Sequence, residues 1–136
     1  MRIEKRLLKP ESVRRIPEQF SWVDHRLIRE RRLADCSHAG WALYLFLVTV
    51  GDAQGLSYYS DRSVCAHLGM QGLEALCAAR VELVRARVIA YAAPIYQVLG
   101  LDARRDAVSV YRRTNAREAV AVGDVIGAIL ARGGAA

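Results

Sequence analysis

The feature of this sequence that most constrains its fold is an unbroken apolar run from Trp41 to Val50, WALYLFLVTV. As an α-helix, a run of this length rises only about 15 Å, roughly half the hydrocarbon thickness of a bilayer. The run is therefore too short to cross a membrane and instead predicts a helix buried in a protein core. Ser37 precedes it as a good N-cap, so we expect this helix to extend from His38 to about Gly51.

Two further helices are predicted after Asp52-Ala53-Gln54-Gly55 breaks the pattern. Ser60 is a good N-cap for a second helix, Asp61–Leu68, and Gly69 ends it because glycine adopts a positive φ at low cost. A third helix is predicted from about Gly72 to Arg87. The positions expected to face the core are Val64, Cys65 and Leu68 in the second helix, and Leu73, Leu76, Cys77, Val81, Leu83, Val84 and Val88 in or directly after the third.

Strands are predicted on both sides of the helical region. Ile89–Ala92 and Ile95–Leu99 are short apolar segments that meet at Ala93-Pro94, which predicts a hairpin. Near the other end, Gln19–Val23 is predicted as a short strand, followed by a short helix over Asp24–Leu33. Their expected apolar positions are Phe20 and Trp22 on one face of the strand, and Leu27, Ile28 and Leu33 in the helix.

Positive charge is concentrated at the two ends of the chain. The net charge is +6, of which residues 1–32 carry +5, residues 33–100 carry −1 and residues 101–136 carry +2. A basic balance favours an acidic partner such as nucleic acid. We divide the chain into a basic N-terminal extension (1–19), a helical domain with a small hairpin (20–100), and a polar linker with a C-terminal amphipathic helix (101–136).

The C-terminal helix is predicted from apolar residues at helical spacing. They are Val122, Val125, Ile126, Ile129 and Leu130. This stripe is a candidate surface for a homodimer or for a partner protein. An equally good alternative is that it folds back onto the core of its own chain.

The middle of the chain resembles a known family. Residues WVDHRLIRERRLADCSHAGWALYLFLVTVGDAQGLSYYSDRSVCAHLGM, followed by LEALCAARVELVRARVIAY, are similar to the winged helix-turn-helix modules of plasmid and phage replication initiators and related regulators. The matching pieces are Gly55 to Ser60, Leu68-Gly69, and Leu83 with Val88-Ile89. The resemblance implies a mainly α fold with a small β-hairpin over residues 20–99. Arg87 departs from the family, which usually has a glycine just before the wing.

The resemblance implies that the third helix enters the major groove of double-stranded DNA. Gln71 is the strongest base reader near its start, and exposed alanines there can touch a thymine methyl group. The candidate residues on this surface are Ser60, Arg62, Gln71, Gly72, Glu74, Ala75, Ala78 and Arg85. Candidate phosphate contacts from the basic N-terminal region are Arg14, Arg15, Arg29, Arg31 and Arg32. Arg80 lies between two apolar rows and is predicted to be half-buried beside a carboxylate.

Two function classes remain from the sequence. The first is a DNA-binding protein of a regulatory, transcriptional or replication-initiation type, with a mobile element as one expected source. The alternative is a non-catalytic interaction module in a replication, transposition or regulatory assembly, which the neutral centre and the few base-reading side chains favour. An enzyme is not expected, because the chain has no glycine-rich phosphate loop, no H-E-x-x-H and no G-x-S-x-G motif.

Cofactors, metals and membranes are not expected either. Cys36 with His38 and Cys65 with His67 offer zinc-ligand types, but residues two apart on a helix point about 200° away from each other. The odd number of widely spaced cysteines argues against a disulfide framework, and the charged N-terminus lacks the apolar core of a signal peptide. The sequence therefore predicts a cytoplasmic protein.

Overall fold

The computed structural model describes residues 1–102, which contain four helices and a small three-stranded sheet. In chain order the elements are a 3₁₀ turn at Pro10–Ser12, α1 (Arg26–Arg29), α2 (His38–Val50), β1 (Leu56–Tyr58), α3 (Asp61–Leu68), α4 (Leu73–Arg85), β2 (Ile89–Ala92) and β3 (Ile95–Val98). The predicted C-terminal helix and its apolar stripe lie outside the described residues. The mixed helical fold and the hairpin are as predicted, with β3 ending at Val98.

The sheet is antiparallel in the order β1-β3-β2. Ala92 pairs with Ile95 where the hairpin turns, and Leu56 pairs with Gln97 on the other edge of β3. The sequence prediction missed β1, because three residues are too few to show an alternating pattern. Only their pairing with β3, about forty residues later, defines them as a strand.

The long apolar helix is confirmed as α2, and its cap is as predicted. The Ser37 hydroxyl accepts a hydrogen bond from the Gly40 N–H at 3.2 Å. Leu43 and Leu47 are fully buried, while Leu45 faces outward. Helix α2 packs mainly against α4. The buried core consists of Leu27, Leu33, Leu43, Tyr44, Leu47, Val64, Leu76, Ala79, Leu83, Val88, Ile89, Tyr96 and Leu101.

Helix α4 buries a different face from the one predicted. Leu76 and Leu83 are buried as expected, together with Ala79, whose small side chain was not predicted to lie in the core. The predicted core residues Leu73, Cys77, Val81 and Val84 are exposed instead. Two apolar rows run side by side along this helix, and periodicity alone does not distinguish the row that α2 covers from the row that stays outside.

The segment before α2 also differs from the prediction. Gln19–Val23 is not a strand, and Phe20 and Trp22 are exposed. The predicted helix over Asp24–Leu33 shortens to α1, with Leu27 and Leu33 buried but Ile28 exposed. The reason is a change in chain direction at Arg31, whose φ of +52° ends the helical turn and brings Leu33 back to the core.

Three helices end in the same way, with a left-handed residue followed by a hydrogen bond back to the last turn. Gly69 has this role after α3, as predicted, with the Met70 N–H bonded to the Cys65 carbonyl at 3.0 Å. Arg31 has it after α1, where the Arg32 N–H bonds to the Leu27 carbonyl. Arg87 has it after α4, with a φ of +60° and the Val88 N–H bonded to the Leu83 carbonyl. Arg87 therefore occupies a backbone position that favours glycine.

We expect Arg87→Gly to stabilise the protein. A left-handed conformation costs a residue with a Cβ about 1–2 kcal/mol, whereas glycine adopts it freely but loses more backbone entropy on folding. The expected net gain is about 0.5–1 kcal/mol in the free energy of unfolding, measured by urea denaturation. The control is Arg87→Ala, which removes the same charged side chain and keeps the Cβ. A gain of the same size in the control would show that the arginine side chain, and not its φ, is the source.

Candidate nucleic-acid interface

Helices α3 and α4 are consecutive helices joined by a short turn that begins at Gly69. The turn contains the four residues between Leu68 and Leu73, and the Cys65 Sγ lies 3.9 Å from the Gly72 carbonyl oxygen. Met70 packs partly into the core while Gln71 and Gly72 are exposed. The turn therefore presents the start of α4 outward.

The turn and the outer face of α4 carry six of the thirteen predicted DNA-contacting residues. The exposed ones on the turn and on α4 are Gln71, Gly72, Glu74, Ala75, Ala78 and Arg85. Arg62 is exposed in the first turn of α3, beside Ser60, whose hydroxyl caps the helix by accepting from the Ser63 N–H at 3.2 Å. The Ser60 hydroxyl is thus already engaged in its own chain.

Arg80 fixes the position of α4 against α3 and the sheet. Its guanidinium forms a salt bridge with Asp61 in the first turn of α3, and its Nε donates to the Tyr96 hydroxyl at 3.1 Å. The same group lies 4.0 Å from the centre of the Tyr91 ring. This confirms the predicted half-buried arginine with a carboxylate partner. The two tyrosines were missed, since no local signal links residues of β2 and β3 to α4.

The Tyr96 side chain is fully buried. Burial raises its pKa above the usual value, and this outweighs the opposing effect of the hydrogen bond from Arg80. Tyr96 is therefore a neutral hydroxyl at physiological pH, able to accept from Arg80. The cluster is a structural support that holds α4 against α3 and the sheet.

A second carboxylate, two residues after Arg80, joins α4 to the start of α2. The Glu82 side chain accepts hydrogen bonds from both the backbone N–H and the hydroxyl of Ser37, each at 2.9 Å. Ser37 is the N-cap of α2, so this contact joins the start of α2 to the C-terminal half of α4. Gly40 makes the close approach possible, because a Cβ there would lie 2.5 Å from the Glu82 carboxylate.

One of the predicted N-terminal phosphate contacts, Arg32, is engaged within its own chain. It pairs with Glu30 at 2.6 Å and donates to the Leu101 carbonyl, so it lies beside the segment after β3. Arg29 and Arg31 are exposed in the same stretch.

Arg14 and Arg15 lie in an exposed N-terminal stretch, residues 1–23. One hydrogen bond fastens the end of this stretch to the domain, from the Ser21 hydroxyl to the Thr49 carbonyl at 3.3 Å. The β2–β3 turn, at Ala93 and Pro94, is exposed and uncharged. The tip of the hairpin therefore contributes no positive charge, in contrast to the N-terminal extension.

A cavity of about 520 Å³ lies between Phe20–Trp22, the C-terminal half of α2 and the segment after β3. Its charged lining residues already have partners within the chain, and the Asp52 carboxylate accepts hydrogen bonds from the N–H groups of Gln54 and Leu56. Arg26 bonds to Asp24 at 2.7 Å and to Asp102 at 2.6 Å. Arg26 holds the pKa of Asp24 below its usual value. These ion pairs hold together the segments that surround the cavity, and they do not point toward a common ligand position.

Residues 1–102 contain no group of three or more His, Cys, Asp and Glu side chains that is placed to hold a metal ion. None of the helices in the same range combines the length and apolar character that crossing a membrane requires.

The chain was compared with protein-family models, with curated proteins and with solved structures. None of the three comparisons gives a match.

Proposed function

We propose that this protein binds double-stranded DNA as a winged helix-turn-helix protein, with α4 as the helix that enters the major groove. The observation that carries the proposal is the α3–turn–α4 unit, whose α4 has an outer face exposed from Gln71 to Arg85. The element order α1-α2-β1-α3-α4-β2-β3 and the sheet order β1-β3-β2 support a winged arrangement. In this arrangement the β2–β3 hairpin is the wing.

The chemistry of α4 suggests a short base-reading surface. The major groove accepts a helix, and a glutamine such as Gln71 makes two hydrogen bonds to adenine. Ala75 and Ala78 are exposed on the following turns and fit against thymine methyl groups. Glu74 fits an amino group of cytosine and would repel a phosphate, so we expect it to point toward the base edges.

Phosphate contacts complete the proposed interface. Arg62 and Arg85 are exposed on α3 and α4, and Arg14 and Arg15 are on the basic extension. Such contacts anchor a protein without reading sequence and make its affinity depend on salt. A regulatory or replication-initiation role in the cytoplasm is the setting we propose, with a mobile element as its expected source.

The experiment is selection of duplexes from a random-sequence DNA pool at two salt concentrations, followed by sequencing. We expect enriched sequences that survive the higher salt. Gln71→Ala should relax discrimination at one base position by about 1–3 kcal/mol. Arg62→Ala should weaken all sequences alike and reduce the salt slope by about one.

The matched control is Arg31→Ala, which removes one exposed charge outside α3 and α4. Its effect on affinity should be smaller than that of Arg62→Ala. Binding that enriches no sequence and disappears at higher salt would show that the protein binds DNA only by nonspecific charge attraction. Retention of no DNA at either salt would refute the proposal.

A second candidate function is docking of a protein on α4. The observation that favours it is the exposed row of Leu73, Cys77, Val81 and Val84, because exposed apolar rows are typical of protein interfaces. This row contributes nothing to phosphate binding and only weakly to base reading.

A further inference from the structure

An apolar stripe runs along the exposed side of α4. We define the apolar stripe as Leu73, Cys77, Val81 and Val84. The side chains of Leu73, Val81 and Val84 are 54%, 45% and 43% exposed, and Cys77 is also exposed. Their spacing of four, four and three residues keeps them within an arc of about 80° on the helix surface. No element of residues 1–102 covers this arc.

Two opposite charges lie along one edge of the apolar stripe. Glu74 is next to its first residue and Arg85 is next to its last. Eleven residues separate them, which places them within about 20° of each other around the helix but at opposite ends. Both are exposed, and neither forms a salt bridge within residues 1–102.

We propose that the apolar stripe is the interface for a second copy of this chain, with the two α4 helices packed antiparallel about a two-fold axis that crosses the stripe between Cys77 and Val81. In this arrangement Cys77 of one copy faces Val81 of the other, and Leu73 faces Val84. Glu74 of each copy then lies beside Arg85 of the other, because an antiparallel pair brings the same edges of two helices together. The surface is therefore complementary to itself in charge, with its apolar residues facing one another, as a two-fold interface requires.

The charge complementarity selects a second copy over an unrelated partner. In the antiparallel dimer, Glu74 of each copy pairs with Arg85 of the other, so the dimer gains two ion pairs. The central part of the chain, residues 33–100, carries a net charge of only −1, so the segment that contains α4 adds little to the repulsion between two copies. The interface is small, and we expect a weak dimer whose population rises with concentration.

The proposal does not rest on DNA binding, since its readout is the oligomeric state in the absence of DNA. A dimer of this kind covers part of the α4 face proposed for the major groove. DNA and the second copy would then compete for the same helix, and self-association would lower DNA binding at high protein concentration.

The first test is sedimentation of the full chain in reducing buffer over a range of concentrations. The wild type should show a monomer–dimer equilibrium. Val81→Asp should remain monomeric, because it places an unpaired charge in the interface. Leu45→Asp is the matched control, since Leu45 is an exposed aliphatic residue on α2 and its replacement should leave association unchanged.

The second test exchanges the two charges. Glu74→Arg and Arg85→Glu should each weaken self-association about tenfold, because each replaces two attractions with two repulsions. The double variant should restore it. A mixture of the two single variants should form a heterodimer, since each then supplies the charge that the other lacks. Thermal unfolding of each variant confirms that it is folded.

A wild type that is monomeric at all concentrations overturns the proposal. The proposal is also overturned if Val81→Asp still associates, or if the charge-exchange variants associate as strongly as the wild type. The interface would then lie elsewhere, and loss of association in Ile126→Asp would assign it to the C-terminal apolar residues. Failure of the double variant to recover would exclude the antiparallel pairing.

Discussion

Gly55→Ala is expected to lower the free energy of unfolding by about 2–4 kcal/mol, although the substitution removes no interaction. Gly55 has a φ of +79°, where a Cβ is strained by about 1–2 kcal/mol. That Cβ would also lie 2.5 Å from the Val98 carbonyl oxygen, a backbone atom in β3 that does not turn away as a side chain does. The collision adds a further cost of about 1–3 kcal/mol.

The position of Gly55 makes this strain consequential for the whole sheet. Its carbonyl accepts a hydrogen bond from the Val98 N–H at 2.8 Å, directly before β1 pairs with β3. Denaturation by urea measures the effect, and Gly100→Ala is the control because a Cβ at Gly100 meets nothing within 4 Å. Equal, small changes in both variants would mean that the Gly55 turn relaxes without cost.

Arg80→Met is the second large prediction, with an expected loss of about 2–3 kcal/mol. Methionine fills much of the space of the arginine stem but makes none of its polar contacts. The Arg80 side chain is 12% exposed, whereas that of Asp61 is 38% exposed. Water therefore screens the released Asp61, and the salt bridge contributes the smaller part of the loss. The larger part comes from the Tyr96 hydroxyl, which is left buried without its partner.

This division of the loss is itself testable with Tyr96→Phe. If the buried hydroxyl is the main source of the cost, the double variant Arg80→Met/Tyr96→Phe should lose less stability than the sum of the two single variants. Asp61→Asn is the companion control and should cost about 1 kcal/mol or less. Strictly additive losses for Arg80 and Tyr96 would show that their hydrogen bond contributes nothing to stability.

The candidate site was predictable in part. Exposure of Gln71, Glu74, Ala75, Ala78 and Arg85 follows from the position of α4 after a glycine turn, and the structure places all of them on the outer side of the unit. The sequence did not show that Ser37 contacts Glu82 and so joins the start of α2 to α4, because the two residues are 45 positions apart.

The elements that the sequence determined by itself are those built from local interactions. Ser37 and Ser60 cap α2 and α3, and Gly69 ends α3, because a cap or a positive φ involves only neighbouring residues. The hairpin follows in the same way from two apolar segments around Ala93-Pro94. These signals need no partner from elsewhere in the chain.

The tertiary structure alone decided the features that depend on distant contacts. Strand β1 exists through its pairing with β3, and Arg80 acquires its roles from Asp61, Tyr91 and Tyr96. Above all, the packing of α2 against α4 decided which of two apolar rows on α4 is buried. Both rows have helical periodicity, but the buried row is the one that contains Leu76, Ala79 and Leu83. The other row remains on the surface, where its apolar side chains become available for binding.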